Sequence, residues 1–189
     1  MARDKWGTPT TATRAPLIGA VLGVSAIMCF ITAAVIPGIL DRRDAALPMP
    51  SDAIRPVPQP YTLPLEYAQW VIRYCDETGV PVWLACRLFA WESGWRAGYV
   101  SVENENGTRD FGLAALNSSC IEAFSAYNEG RKVDPHDPET AIRVGVRYLA
   151  ALYAETGSWR AAVGCYNVGL AGWRAGKRPL RHIRGVIGE

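Results

Sequence analysis

Three regimes of hydrophobic spacing divide the chain. Leu17 to Ile36 is an apolar run without a charged residue, and Pro48 to Pro64 has recurrent prolines and no periodicity. Beyond it, apolar residues return at three- and four-residue spacing, the mark of helices with one buried face. Ala68, Val71, Ile72 and Cys75 predict a helix that Gly79 stops. Pro81 opens the next at its first turn, with Leu84, Leu88 and Trp91 on its buried side and Gly94 at its end. From Tyr99 to Leu113 the pattern breaks, and Asn104, Asn106 and Gly107 predict a loop or small hairpin. Ser118 or Ser119 is placed to cap a short helix ending near Gly130. Asp137-Pro138-Glu139 is a strong helix start. The helix it opens carries Ile142, Val146, Leu149 and Leu152 and stops at Gly157. Ser158 starts another that runs through Trp159 and Val163 to Tyr166. The expected fold class is mostly α, a helical domain over residues 64–189 with a small loop or hairpin region.

The first apolar run is about twenty residues long, enough to span a bilayer as a helix. Arg3, Lys5 and Arg14 precede it, while Asp41, Arg42, Arg43 and Asp44 follow and cancel. That bias places the amino terminus inside. A cleaved secretory signal has a shorter apolar core with a small-residue cleavage site beyond it. Here Thr32-Ala33-Ala34 lies within the run, and Met28 is a poor lead-in for lipid attachment at Cys29. The expected organisation is a short cytoplasmic start over 1–16, a transmembrane signal anchor over 17–40, and a proline-rich linker over 41–63. Pro48, Pro50, Pro56, Pro58 and Pro60 hold that linker extended, at about 3 Å per residue. The expected topology is a membrane crossed once, with the domain on the exported side.

The 189 residues allow one domain with a real core plus accessories, and a net charge of +2 gives no reason to expect a nucleic-acid partner. Arg174, Lys177, Arg178, Arg181 and Arg184 form a basic stretch that is either a solvated face or an attraction toward anionic polymers. Cys75, Cys86, Cys120 and Cys165 lie in the domain. In an oxidising compartment four cysteines allow two disulfides in three connectivities, which sequence leaves open; each could also be a small buried apolar residue. Their spacing lacks the paired form of a zinc site, and only His136 and His182 could add imidazole ligands. No metal and no cofactor is expected.

The candidate chemistry sits in Phe89-Ala90-Trp91-Glu92-Ser93-Gly94-Trp95. Burial among aromatic rings disfavours a charged carboxylate, which keeps a proton available to a leaving group. Glu92 is therefore a candidate general acid. Of the neighbouring aromatics, Trp95 and Tyr99 are the better candidates for stacking on a ligand, and the others suit the core.

Four local phrases, in order, resemble the soluble lytic transglycosylase catalytic domain, of the goose-type lysozyme-like fold. They are Val80 to Ala85 with Trp91 to Trp95, Ser101 through Asn106 to Leu113 with Leu116-Asn117-Ser118, Ala141 to Leu149, and Ala161 to Gly169. The resemblance covers about residues 66–185. It implies an α+β lysozyme-like domain that cuts peptidoglycan glycan strands between N-acetylmuramic acid and N-acetylglucosamine. Glu92 would be the sole acid and base, and the product a 1,6-anhydromuramoyl end formed without water. Ser93, Tyr166 and Asn167 match family positions that support the substrate, the glutamate or the local turn, and Ser101 and Asp110 fall in the second motif. The chain departs from the family where Ala114-Ala115 replaces Met-Gln after Gly-Leu. Losing the glutamine side chain weakens substrate positioning by about 1 kcal/mol. Two alternatives follow: a hydrolase of the muramidase type using Asp110 as a second carboxylate, or a non-catalytic tethered wall-binding or assembly protein. The resemblance also implies that the anchor lies in the bacterial inner membrane with the domain on the periplasmic side, and that the partners are secretion, pilus or division machines.

The anchor has a direct expected outcome. Alkaline carbonate leaves the full-length protein in the membrane pellet, whereas a shortened, soluble mature form contradicts the anchor.

Overall fold

The structure, a computed structural model, describes residues 61–188. The expected transmembrane segment over 17–40 lies outside the described residues, as does the linker over 41–63 apart from its last three positions. Among the described residues, no helix is long and apolar enough to cross a membrane.

The domain is built from α1 (Leu65–Thr78), α2 (Val82–Ser93), a hairpin of β1 (Asp110–Phe111) and β2 (Leu116–Asn117), two 3-10 turns (Ser118–Cys120 and Ala123–Asn128), α3 (Pro138–Thr156), α4 (Trp159–Arg174) and α5 (Leu180–Ile187). The hairpin is antiparallel, with Asp110 opposite Asn117 and Phe111 opposite Leu116. Gly79, Gly94 and Gly157 each end a helix in the left-handed conformation, as expected of helix-terminating glycines. Asp137 caps α3 by accepting the Thr140 N–H at 2.8 Å, and Pro138 fills its first position.

The middle of the domain is α3. Its Ala141, Ile142, Val144, Val146, Leu149 and Leu152 are buried, and it packs against α1, α4 and the second 3-10 turn. Each buried Ile, Leu or Val contributes about 1.5–3 kcal/mol of apolar transfer. α2 carries Leu84, Ala85, Leu88 and Phe89 into the same core. α5 packs across α2 and α4 through Ile183, Val186 and Ile187.

Several sequence expectations need correction. Ile72 and Trp91 were assigned to buried faces, but they are 45% and 43% exposed. Trp91 keeps helical register with Leu84 and Leu88, yet its ring meets α5, at Gly185 and His182, and leaves its remaining surface open. Asn117, rather than a serine, caps the first 3-10 turn, accepting from Ser119 N. Helix α4 continues past Tyr166 to Arg174, with a break at Gly169, and α5 follows where sequence showed only basic residues.

Among the described residues the two expected disulfides do not form: Cys75, Cys86 and Cys165 are thiols. Cys75, Cys86 and Cys165 lie on the inward faces of three different helices and pack as small apolar side chains. Burial pushes the Cys75 and Cys86 thiols up to about 12 and Cys165 up to about 11, from an ordinary 9.0.

Unfolding frees these thiols to ionise near pH 9.0, while the folded state keeps them neutral to about 11 or 12. Their contribution to stability is therefore complete below pH 9.0 and is lost as pH rises from there to about 11 for Cys165 and about 12 for Cys75 and Cys86. Urea midpoints should hold from pH 6 to 8 and fall progressively above about pH 9, with a shallower fall in Cys75→Ala and Cys86→Ala. A midpoint insensitive to alkali contradicts thiol burial.

Candidate functional site

Glu92 lies in the last turn of α2, one residue before the buried Ser93 and two before the Gly94 cap. Its side chain retains 14% exposure. The chain then turns sharply, because Gly94 (φ 61) and Trp95 (φ 63) both take left-handed backbone conformations. That reversal directs Trp95 back onto the core, where its ring stacks on Tyr67 at 5.8 Å and meets the Phe89 ring edge at 5.5 Å.

A loop over residues 112–115 lies against the end of α2. Two hydroxyls hold it there. Ser93 Oγ donates to the Leu113 carbonyl at 2.8 Å, with the Phe89 carbonyl a second acceptor at 3.1 Å. Tyr166 Oη, from α4, donates to the Ala114 carbonyl at 2.9 Å. Burial pushes the Tyr166 phenol well above 10.0, and the charges of Glu92, Tyr148 and Asp110 add to that shift. Tyr166 is therefore a neutral donor throughout the physiological range. Gly112 makes the loop feasible: its φ is 70, and a Cβ there would come within 1.6 Å of the Pro135 carbonyl oxygen. Ala114 is fully buried, and a Cβ on Gly145 of α3 would come within 2.8 Å of its methyl group. Position 114 thus faces a gap sized for a methyl. Ala115 has φ 48 and is partly exposed.

Asp110 belongs to the hairpin's own hydrogen-bond network. Its two carboxylate oxygens accept from Asn117 Nδ2 at 2.8 Å and Asn104 Nδ2 at 3.3 Å. Its backbone N–H donates to Ser101 Oγ at 2.9 Å. Asp110 and Ser101 therefore brace one another. Tyr99 lies beneath the Arg96 guanidinium, 5.0 Å from the ring centre, and its carbonyl accepts from Gly112 N. Asn167 is exposed on α4 next to Tyr166. The fold thus gathers Glu92, Ser93 and Tyr166 around one loop, places Asp110, Ser101 and Tyr99 in the hairpin region, and lays Trp95, partly buried, against the core.

Sequence reasoning treated one residue here only as a remote metal ligand. His182 of α5 is 6% exposed, and its Nε2 lies 2.7 Å from Glu92 Oε1. The Trp91 ring stands edge-on to the same imidazole at 6.2 Å. The signal was present: His182, Ile183, Val186 and Ile187 share one helical face.

The arrangement presents one carboxyl group at a helix end, with one oxygen engaged and its surroundings fixed by buried donors. Such a group can give a proton and take one back. Residues 70–179 match the protein family described as Transglycosylase SLT domain. No curated protein and no solved structure matches the chain.

Removing either hydroxyl leaves a buried carbonyl short of a partner. Ser93→Ala and Tyr166→Phe should each lower stability by about 1–3 kcal/mol, read from urea midpoints. Wild-type midpoints in both would show that the loop is held by other contacts.

Proposed function

The chain belongs to the Transglycosylase SLT domain family, whose members are lytic transglycosylase enzymes of peptidoglycan, and from that premise we propose a single-pass inner-membrane enzyme that uses Glu92 alone as acid and base. In the first step Glu92 protonates the glycosidic oxygen, the bond from the muramoyl anomeric carbon breaks, and N-acetylglucosamine leaves with a free 4-hydroxyl. Charge developing at the anomeric carbon is shared with the substrate's own acetamido group. In the second step the muramoyl 6-hydroxyl attacks that carbon and gives its proton to the Glu92 carboxylate. The 1,6-anhydro ring closes, and the glutamic acid is restored. No water is consumed.

The observation that carries this reading is the pairing of a partly exposed Glu92 with a carboxylate, Asp110, already held by two asparagine amides. Inverting hydrolysis needs a second carboxylate free to activate water. The amide partners of Asp110 count against that role, and so against the muramidase alternative. The anchor and the proline spacer would hold the domain a short distance off the membrane, where a secretion, pilus or division machine needs the wall opened. Ser93 and Tyr166 act by fixing the loop beside Glu92; Asn167, Tyr99 and Trp91 are the nearby side chains with exposed surface for the glycan, Trp91 having 43% of its surface open.

Digestion of purified peptidoglycan by the full-length protein in detergent should release anhydromuramoyl ends, read by mass spectrometry. Glu92→Gln should release none while still binding the glycan. Reducing muramoyl ends would mean hydrolysis, and glycan binding without any product would mean a wall-binding protein.

A further inference from the structure

We propose that His182 is the positioning residue of Glu92, selecting which carboxyl oxygen carries the working proton and holding the carboxylate as it forms. This inference rests on the assignment of Glu92 as the acid and base. It concerns a part of the chain beyond the family match, which ends at residue 179, whereas α5 begins at Leu180.

Three observations support it. First, the contact is direct and enclosed: His182 Nε2 lies 2.7 Å from Glu92 Oε1, with the imidazole 6% exposed. Second, the other ring nitrogen decides the direction of the bond. His182 Nδ1 is buried and has no hydrogen-bond partner among the described residues. A proton there would be a buried donor without an acceptor, so the neutral ring carries its proton on Nε2 and donates it to Oε1. Third, α5 is fixed against α2 at this point. Arg87 Nη2 donates to the Gly185 carbonyl at 3.1 Å. A Cβ on Gly185 would come within 2.1 Å of the Trp91 ring, so only glycine lets the helices approach this closely.

The chemical consequence follows from the occupied oxygen. With Oε1 accepting from Nε2–H, the carboxyl proton resides on Oε2, the oxygen left to meet the substrate. As Oε2 gives its proton to the glycosidic oxygen, Glu92 becomes a carboxylate and the bond from Nε2–H becomes charge-assisted. Hydrogen bonds to ionised acceptors are about twice as strong as neutral ones. The contact therefore strengthens along the reaction and lowers the barrier more than it favours binding. When the muramoyl 6-hydroxyl returns the proton to Oε2, the starting state is restored. The imidazole keeps its own proton throughout.

The test uses full-length protein in detergent with soluble glycan strands freed of peptide. His182→Ala should lower kcat by about 10- to 100-fold with KM within about twofold of wild type. His182→Gln, whose amide N–H can reach toward Oε1, should recover most of the loss. Should the alanine variant fail to fold, His182→Leu fills the space without a donor and should show the same loss of kcat. Unchanged kcat in the folded non-donor variants overturns the proposal. So does a rise in KM with kcat intact, or a glutamine variant no better than leucine. The Glu92→Gln control separates the two levels. If it is inactive while His182→Ala is fully active, only the role of His182 fails; if it stays active, the assignment of Glu92 fails and this inference with it.

Discussion

Two buried hydroxyl-to-carbonyl bonds, Ser93 to Leu113 and Tyr166 to Ala114, bind the domain's chemistry to its core. They join the last turn of α2, the 112–115 loop and α4 at one place. Neither donor is charged at working pH, so neither bond is screened by salt or lost to titration there. In a low-dielectric interior such bonds are directional and costly to leave unmade. Glu92 inherits its position from them: the residue beside it, Ser93, is pinned, and the backbone after Gly94 turns back into the core. A carboxyl group on a loop of its own would lack that precision, and proton transfer depends on distances of a few tenths of an ångström.

The core exists to hold these elements at fixed separations. α3 supplies the floor, and its Gly145 lets the methyl of Ala114 come close. α1 is tied to α3 by Tyr74 Oη on Glu139 at 2.7 Å and by Arg147 on Glu77 at 3.2 Å. The Arg147–Glu77 ion pair is partly exposed and adds little stability, so the apolar faces decide the fold and the polar contacts refine its register. α5 closes over α2 and puts His182 against Glu92. The Glu92 carboxyl thus has a neighbour from the far end of the described domain.

Much of this was legible in residues taken one at a time. Gly79, Gly94 and Gly157 ended helices, and Asp137-Pro138 began one. Those signals are local, and local backbone preference decides them. The motif phrases around Glu92, Asp110 and Tyr166 led to the family because their order is preserved. What escaped depended on where the chain goes after a turn. Periodicity put Trp91 inside, yet it is half-exposed, and two consecutive left-handed residues lay Trp95, partly buried, against the core. No propensity marks a tryptophan for positive φ. The cysteines were counted by compartment, whereas their burial on separate helices follows from which face each occupies. His182 was overlooked because Arg181 and Arg184 beside it drew the reading toward a solvated basic surface, although the residues at 182, 183, 186 and 187 already traced a buried face.

The proposed reaction moves one proton out of Glu92 and one back, with no water in the balance. Peptidoglycan digestion in water enriched with heavy oxygen tests this most directly, because hydrolysis must place a solvent oxygen on the muramoyl anomeric carbon and ring closure cannot. The predicted result is product ends at the anhydro mass with no heavy oxygen incorporated. Muramoyl ends carrying a solvent-derived oxygen from the moment of cleavage would contradict it.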